Sequence, residues 1–152
     1  MNETQKQIRL QQLNEELTKK RNAIKRRKNA IALQKLNDLM DEDENYCQRK
    51  RFFIEKIDDL RKQKAQYDLD HPRRYEIEDE TRYGEHELSL LRNEHERNIH
   101  RINNCHMIAR TALDDEERQL TEWFEQQKTT ILCEYVERKE ADNDTTAEHK
   151  AD

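Results

Sequence analysis

The sequence predicts an all-α protein that consists of two long helices separated by a turn. The chain of 152 residues is 41% charged and only 32% hydrophobic, which is too little apolar material for a globular core of ordinary size. It contains one glycine and one proline, so few helix-breaking residues interrupt it. Apolar residues recur at spacings of three, four and seven, which is typical of helices that pack along one stripe.

The only proline marks the break between the two helices. It lies in the segment DHPRRY, residues 70–75. Proline fixes its own φ, lacks an N–H and disfavours helical geometry in the preceding residue, so a continuous helix cannot include His71. We expect the first helix to end near residue 69 and the second to begin near Pro72, where Asp70 or His71 can cap it. The predicted organisation is a first helix over 1–69, a turn over 70–75 and a second helix over 76–140.

The first helix carries an apolar seam in two registers. The first register consists of Leu10, Leu13, Leu17, Ile24 and Ile31. The second consists of Tyr46, Phe53, Ile57, Leu60 and Tyr67, and Leu33, Leu36 and Met40 bridge the two. Heptad spacing of this kind predicts a coiled coil, and the shift predicts a kink or a change of register near residues 31–40. One helix cannot bury such a seam alone, so we expect a dimer or a higher oligomer.

The second helix continues the pattern with several large apolar residues. Its seam is formed by Tyr83, Leu88, Leu91, Ile99, Ile102, His106, Ala109, Leu113 and Leu120. Gly84 near its start is a candidate flexible point. The last segment, ADNDTTAEHKAD (141–152), has no periodicity and is predicted to be a disordered tail.

Charge is divided unevenly between the two halves of the chain. Residues 1–71 carry 17 Lys/Arg and 13 Asp/Glu, whereas residues 72–152 carry 12 and 21. Opposite charge favours two halves that lie beside each other, either folded back within one chain or paired between chains.

Composition excludes most enzyme classes and gives no sign of a cofactor. One glycine cannot form a phosphate-binding loop, and acidic clusters such as DEDE (41–44) lack the burial that shifts catalytic pKa values. No two of His86, His95, His100 and His106 have the i, i+4 spacing that two metal ligands need on one helical face, so we expect solvated or seam-filling histidines. Three separated cysteines and the lack of a signal peptide or apolar span indicate a soluble, intracellular protein.

A basic run stands out in the first helix. The segment KKRNAIKRRK (19–28) holds seven cations, Lys19, Lys20, Arg21, Lys25, Arg26, Arg27 and Lys28. A solvated helical face explains it, and so does a nuclear import signal or a contact with nucleic acid. No aromatic residues are interleaved with the cations and the chain is acidic overall, so specific nucleic-acid recognition is the weaker interpretation.

An aromatic-rich stretch, QLTEWFEQQKTTILCEYVERK (119–139), stands out in the second helix. It either packs within the protein's own bundle or forms an amphipathic helix that binds in the groove of another protein. On a helix, the candidate binding residues are Leu113, Leu120, Phe124, Ile131 and Tyr135 on one stripe, widened by Trp123 and Leu132.

The order of these segments resembles the Sds-type family, which includes the breast cancer metastasis suppressor proteins. The similarity covers roughly residues 25–140. Phe53, Ile57 and Leu60 match the family's aromatic-x-x-x-Leu-x-x-Leu helix, and His71, Pro72 and Tyr75 match its Gly-Thr-His-Pro-Glu-Tyr turn. The family's Gly-Thr is replaced here by Leu69-Asp70, and Lys64 stands at an expected apolar position.

The resemblance implies a non-enzymatic, nuclear subunit of a Sin-three histone deacetylase corepressor complex that acts in transcriptional repression. Residues up to about 67 would self-associate as an antiparallel coiled coil through Tyr46, Phe53, Ile57, Leu60 and Tyr67. The helix over 113–136 would bind the Sin-three scaffold that carries the deacetylase. The alternative is a generic coiled-coil subunit of a cytoskeletal, kinetochore or trafficking assembly.

Overall fold

The computed structural model contains two α-helices, α1 (Glu3–Lys64) and α2 (Pro72–Ala151). It describes the backbone of residues 2–151 and the side chains of residues 2–136, 140 and 141. The prediction of an all-α chain with two long helices is confirmed. At the start of α1, the Gln5 N–H donates to Asn2 Oδ1 at 2.8 Å and the Asn2 N–H donates to Gln5 Oε1 at 3.2 Å. This reciprocal pair is a capping box, which fixes where the helix begins.

The turn between the helices begins earlier than predicted. α1 ends at Lys64 rather than near residue 69, because the chain uses several residues to reverse direction before Pro72. The backbone N–H groups of Gln66 and Tyr67 bond to carbonyls three residues earlier, at 3.1 and 3.2 Å. The Arg74 side chain donates to the Tyr67 carbonyl at 3.0 Å. These bonds satisfy backbone groups that the helix no longer pairs.

The start of α2 agrees with the expectation that a helix begins near Pro72, so the predicted turn over 70–75 overlaps the first turn of this helix. Pro72 is its first residue, and the Arg73 N–H donates to Nδ1 of His71 at 3.1 Å. His71 is therefore the capping residue of the two candidates. The other end of α2 differs from the prediction, because the helix includes residues 141–151, which were expected to be disordered. Alanine, glutamate and lysine in this segment are good helix formers, and the side chains of 142–152 lie outside the described residues.

The chain forms two compact units, each built from one segment of each helix. Unit 1 comprises Met1–Ile31 and Ala109–Asp152, and unit 2 comprises Ala32–Ile108. The boundary in α1 falls at the edge of the region 31–40, where the apolar seam changes register. Within each unit the two segments run antiparallel, as the ion pairs between them show.

Unit 1 buries a row of leucine and isoleucine side chains between its two segments. Its core cluster of Leu17, Ile24 and Leu120 is covered by Trp123 and Phe124. Leu13, Leu113 and Ile131 are also buried, at 7, 2 and 5% exposure. Each segment covers the stripe of the other, so the seam of this unit is buried without a second chain. The dimer or higher oligomer stays a prediction.

Unit 2 contains the turn and a second set of buried apolar residues. They are Ile57, Leu60, Ile77 and Leu91, and Ile77 has no exposed surface at all. Gly84 is also buried, and an ideal Cβ at this position would lie 3.1 Å from Cγ1 of Ile57. Gly84 lies inside α2 and permits this close approach, so it has a packing role, and its interpretation as a flexible point stays a prediction.

Candidate protein-interaction surfaces

The predicted dimerisation residues lie mostly inside unit 2. Ile57 and Leu60 are 5 and 6% exposed, whereas Phe53 and Tyr67 are half-buried. Tyr46 stacks on His95 of α2, with 3.9 Å between the ring centroids and 9° between the planes. A second chain could use this face only after the α2 segment of the same unit had moved away. Self-association through these residues stays a prediction.

Polar pairs fill the positions of unit 2 where the apolar seam is interrupted. Glu42 Oε1 lies 3.2 Å from Nδ1 of His95 and accepts a bond from Nδ2 of Asn98 at 3.1 Å. Nε2 of His106 lies 2.9 Å from Oδ2 of Asp38, and this bond lowers the pKa of the Asp38 carboxyl. All four paired side chains are at most 36% exposed.

The expectation for the histidines is met at the four positions considered. His95 and His106 fill seam positions, and His86 and His100 are exposed. No group of three or more potential ligands that could hold a metal ion occurs among the residues whose side chains are described. The histidines of unit 2 therefore act as polar links between the helices.

The predicted scaffold-binding residues lie in unit 1, where the α1 segment covers most of them. Leu113, Leu120 and Ile131 are 2, 9 and 5% exposed. Trp123 and Phe124 pack on the core cluster. Of the seven residues only Leu132, at 38%, is exposed.

Tyr135 ties the end of this face to the start of α1. The ammonium group of Lys6 lies 4.4 Å from the centroid of the Tyr135 ring. A hydrogen bond between Tyr135 and Glu3 raises the pKa of the tyrosine and lowers that of the glutamate. The described part of the aromatic stretch, residues 119–136, thus packs within the protein's own helices, which is one of the two alternatives that its sequence allows.

The basic run is divided between two faces of α1. Three of its cations contact α2. Lys20 lies 4.0 Å from the centroid of the Trp123 ring, and Arg27 pairs with Glu116 at 2.6 Å. Lys28 pairs with Asp114 and Glu117, each at 2.6 Å, which raises the pKa of Lys28 and lowers that of Asp114.

The other four cations of the run face solvent. Lys19, Arg21 and Lys25 make no ion pair among the described side chains, and Arg26 bonds only to the carbonyl of Asn22, at 3.3 Å. The solvated face therefore accounts for four of the seven cations, and helix pairing accounts for three. Nuclear import stays a prediction for the run as a whole.

Unit 2 also presents an apolar stripe that the seam analysis did not recognise as a surface. We call it the outer stripe, and it consists of Leu33, Leu36, Met40, Cys47 and Ile54. The first three are 59, 54 and 61% exposed, Ile54 is 40% exposed, and Cys47 is exposed. Leu33, Met40, Cys47 and Ile54 follow one another at intervals of seven, so they share one face of α1.

The outer stripe lies outside the contact between α1 and the α2 segment of unit 2. The inward side chains at this level are those of Lys35, Asp38, Leu39 and Glu42, which are half-buried. Leu33, Leu36 and Met40 do not bridge two buried registers, as the sequence suggested, because the inward seam passes through Leu39 and its polar neighbours instead. The heptad spacing from Leu33 to Ile54 was the signal that could have revealed the stripe.

Comparison with protein-family models, curated proteins and solved structures found no match to this chain. The resemblance to the Sds-type family therefore rests on the residues that carry it. Within the described part of the chain, neither helix holds an apolar stretch long enough to cross a membrane.

Proposed function

We propose that the chain is a non-enzymatic structural subunit that holds protein partners together through its helical faces. In the form that the family resemblance implies, it self-associates and binds a Sin-three-type scaffold with its histone deacetylase, in the nucleus, for transcriptional repression. The observation that carries the proposal is the outer stripe, an apolar heptad face that the chain leaves uncovered. Exposed apolar patches of this kind are typical of interaction sites.

The contacts that the acidic side chains make support an architectural role. The acidic segment around residues 114–117 serves helix pairing, since Asp114, Glu116 and Glu117 all contact cations of α1. In unit 2, the carboxylates of Glu42 and Asp38 pair with histidines. Side chains that could resemble acid/base groups are thus occupied in holding helices together.

Scaffold binding through residues 113–136 requires a change in unit 1. The α1 segment covers Leu113, Leu120 and Ile131, so a scaffold helix must take the place of that segment before it can contact them. Helix exchange of this kind conserves the buried contacts, because one amphipathic helix replaces another. The exposed Leu132 offers an initial contact next to the covered face.

The experiment measures binding of the full chain to a purified Sin-three-type scaffold with two pairs of substitutions. Phe124→Ala with Ile131→Ala removes apolar contacts from α2, and we expect about tenfold weaker binding or more, at about 1.4 kcal/mol per factor of ten. Leu17→Ala with Ile24→Ala is the matched control, because it loosens the same cluster from the α1 side. We expect this control to strengthen binding, since it makes the α2 face easier to uncover.

The two pairs of variants separate the possible outcomes. Equal weakening by both pairs would mean that the scaffold recognises intact unit 1 rather than the α2 face. Failure of the wild-type chain to bind any Sin-three-type scaffold would favour the alternative, a generic coiled-coil subunit of a cytoskeletal, kinetochore or trafficking assembly. That alternative has the same helices and the same outer stripe, but it needs no import signal in the basic run 19–28.

A further inference from the structure

The outer stripe is flanked by charges whose sign reverses along the helix. Asp43 and Glu44 precede its central residue, Cys47, whereas Lys50 and Arg51 follow it. Asp43 and Arg51 make no ion pair among the described side chains, and Glu44 accepts only a bond from Gln48 at 3.4 Å. The order along this face is therefore apolar, acidic, cysteine, basic, apolar.

A surface with this order is complementary to its own reversed copy. If a second α1 runs antiparallel and the two helices cross at Cys47, Met40 of each chain lies near Ile54 of the other. Asp43 and Glu44 of each chain then lie near Arg51 and Lys50 of the other. Leu33 of each chain lies at the level of Arg61 of the other, whose aliphatic stem is a surface that apolar side chains can cover, and Leu36 lies at the level of Asp58.

We propose that the outer stripe binds the outer stripe of a second copy of this chain, in antiparallel orientation about Cys47. The proposal deepens the proposed function, because it rests on a self-associating subunit and names a surface for the contact. It differs from the predicted dimerisation residues, which face α2. A two-fold axis makes such an interface self-complementary, with each contact occurring twice.

The charges select the antiparallel orientation. A parallel pair in register would place Asp43 beside Asp43 and Arg51 beside Arg51, and like charges at facing positions are unfavourable. The reversed pair exchanges both of these repulsions for attractions. Asp43, Glu44 and Arg51 are exposed, whereas Lys50 is half-buried with its ammonium group 5.6 Å from the centroid of the Tyr46 ring. Because three of the four flanking side chains are exposed, the charges determine orientation and partner choice while the apolar residues supply the binding free energy.

The first test is sedimentation equilibrium of the full chain. We expect a dimer at micromolar concentration, and we expect Met40→Glu with Ile54→Glu to weaken it about tenfold or more. Both side chains are exposed, so helical content by circular dichroism should not change. The control is Ile108→Glu, which charges a side chain of 67% exposure on α2 of the same unit and should leave the dimer intact.

The second test exchanges the charges to check orientation. Asp43→Arg alone and Arg51→Asp alone should each weaken the dimer, and the chain that carries both should recover wild-type association. In a parallel dimer each of these positions would face its own copy, so neither single substitution should weaken association and this pattern of loss and recovery would be absent. A chain whose only cysteine is Cys47 should be joined by a short bis-maleimide, whereas a chain that keeps only Cys105 should not.

Several outcomes would overturn the pairing. They are a wild-type chain that stays monomeric at about 100 μM, a dimer unaffected by the Met40 and Ile54 substitutions, and efficient coupling through Cys105 but not Cys47. A monomeric chain that still binds the scaffold overturns only the pairing. A dimer with the stated register but no scaffold binding supports the pairing and counts against the corepressor role.

Discussion

Unit 1 and unit 2 are built from the same two helices, yet the contacts between their segments differ in kind. In unit 1 the interface is an apolar row with aromatic cover from Trp123 and Phe124, and long cations reach across it from outside. In unit 2 the apolar residues are interrupted by half-buried polar pairs, Glu42 with His95 and Asp38 with His106.

This difference separates two ways of holding a pair of helices together. An apolar row gives binding free energy but little discrimination of register, since leucine contacts tolerate small shifts. A hydrogen-bonded pair such as His106 with Asp38 forms in one register only, because a slip leaves both groups without a partner in a partly desolvated site. Unit 2 therefore fixes the register of the two helices next to the turn, whereas unit 1 is the interface that a competing helix can enter.

The largest expected effect is cavity formation, which tests whether the two units open separately. Leu113→Ala in unit 1 and Ile77→Ala in unit 2 each remove a side chain that is at most 2% exposed. We expect each to lower the free energy of unfolding of its own unit by about 2–5 kcal/mol. Amide hydrogen exchange should accelerate in the altered unit and much less in the other.

The control for these cavities is Leu90→Ala, which truncates a leucine of 46% exposure on α2. It should change stability by no more than about 0.5 kcal/mol. If either cavity accelerated exchange equally throughout both units, the chain would unfold as one cooperative block. The contrast between the two interfaces would then have no consequence for stability.

Periodicity in the sequence was sufficient to predict the helices and much of the seam, and the single proline was sufficient to predict the break. It missed Ile77, although the signal was present. Counting back from Leu91 and Leu88 by alternating steps of three and four reaches Gly84, Thr81 and Ile77, but the first two are not large apolar residues. The periodicity of large side chains alone therefore pointed to Tyr83, which is 62% exposed.

The identity of the partner of each face could not be predicted from periodicity. A heptad pattern shows which side of a helix is apolar, but the same stripe can be covered by its own chain or by another. For Leu113, Leu120 and Ile131 the covering segment is α1 of the same unit. For Leu33, Met40 and Ile54 the pattern is equally regular, yet this chain leaves them exposed.

The second prediction concerns the close approach at Gly84 in unit 2. Gly84→Ala would place a Cβ 3.1 Å from Cγ1 of Ile57, which is buried and β-branched and so cannot easily turn away. Overpacking costs about 1–3 kcal/mol, and alanine recovers about 1 kcal/mol of helix propensity. We expect a net loss of up to about 2 kcal/mol in urea unfolding.

The same substitution in a chain that lacks the Ile57 side chain should change stability in the opposite direction. In a chain that already carries Ile57→Ala, the obstructing side chain is absent, so Gly84→Ala should stabilise by about 1 kcal/mol. Stabilisation in both backgrounds would mean that Ile57 yields without cost. The close approach of Gly84 to Ile57 would then not be what fixes the packing of the helices in unit 2.

The third prediction concerns the cation over Trp123 in unit 1. Lys20→Gln should lower the free energy of unfolding by about 0.5–1 kcal/mol, because it removes the ammonium group from the face of the ring. Lys20 also pairs with Glu16 at 3.2 Å, so Glu16→Gln measures the contribution of this ion pair separately. Lys19→Gln makes the same change in net charge without a partner among the described side chains. If Lys19→Gln lowered the free energy of unfolding equally, the effect would come from the change in net charge rather than from the contact with Trp123.

The smallest expected effect is the acid sensitivity of each interface. His106 lowers the pKa of Asp38 in unit 2, and Lys28 lowers that of Asp114 in unit 1, each from an ordinary value of 3.8. A carboxyl with a lowered pKa in the folded state contributes stability above its unfolded pKa and loses it as pH falls through the folded pKa. Both contributions should therefore be complete at pH 5 and decline below about pH 4. Hydrogen exchange between pH 5 and 3 should show a smaller acid response in unit 2 after Asp38→Asn, and in unit 1 after Asp114→Asn. If either substitution reduced the acid response in both units, acid would act on the whole chain rather than on the interface of each unit separately.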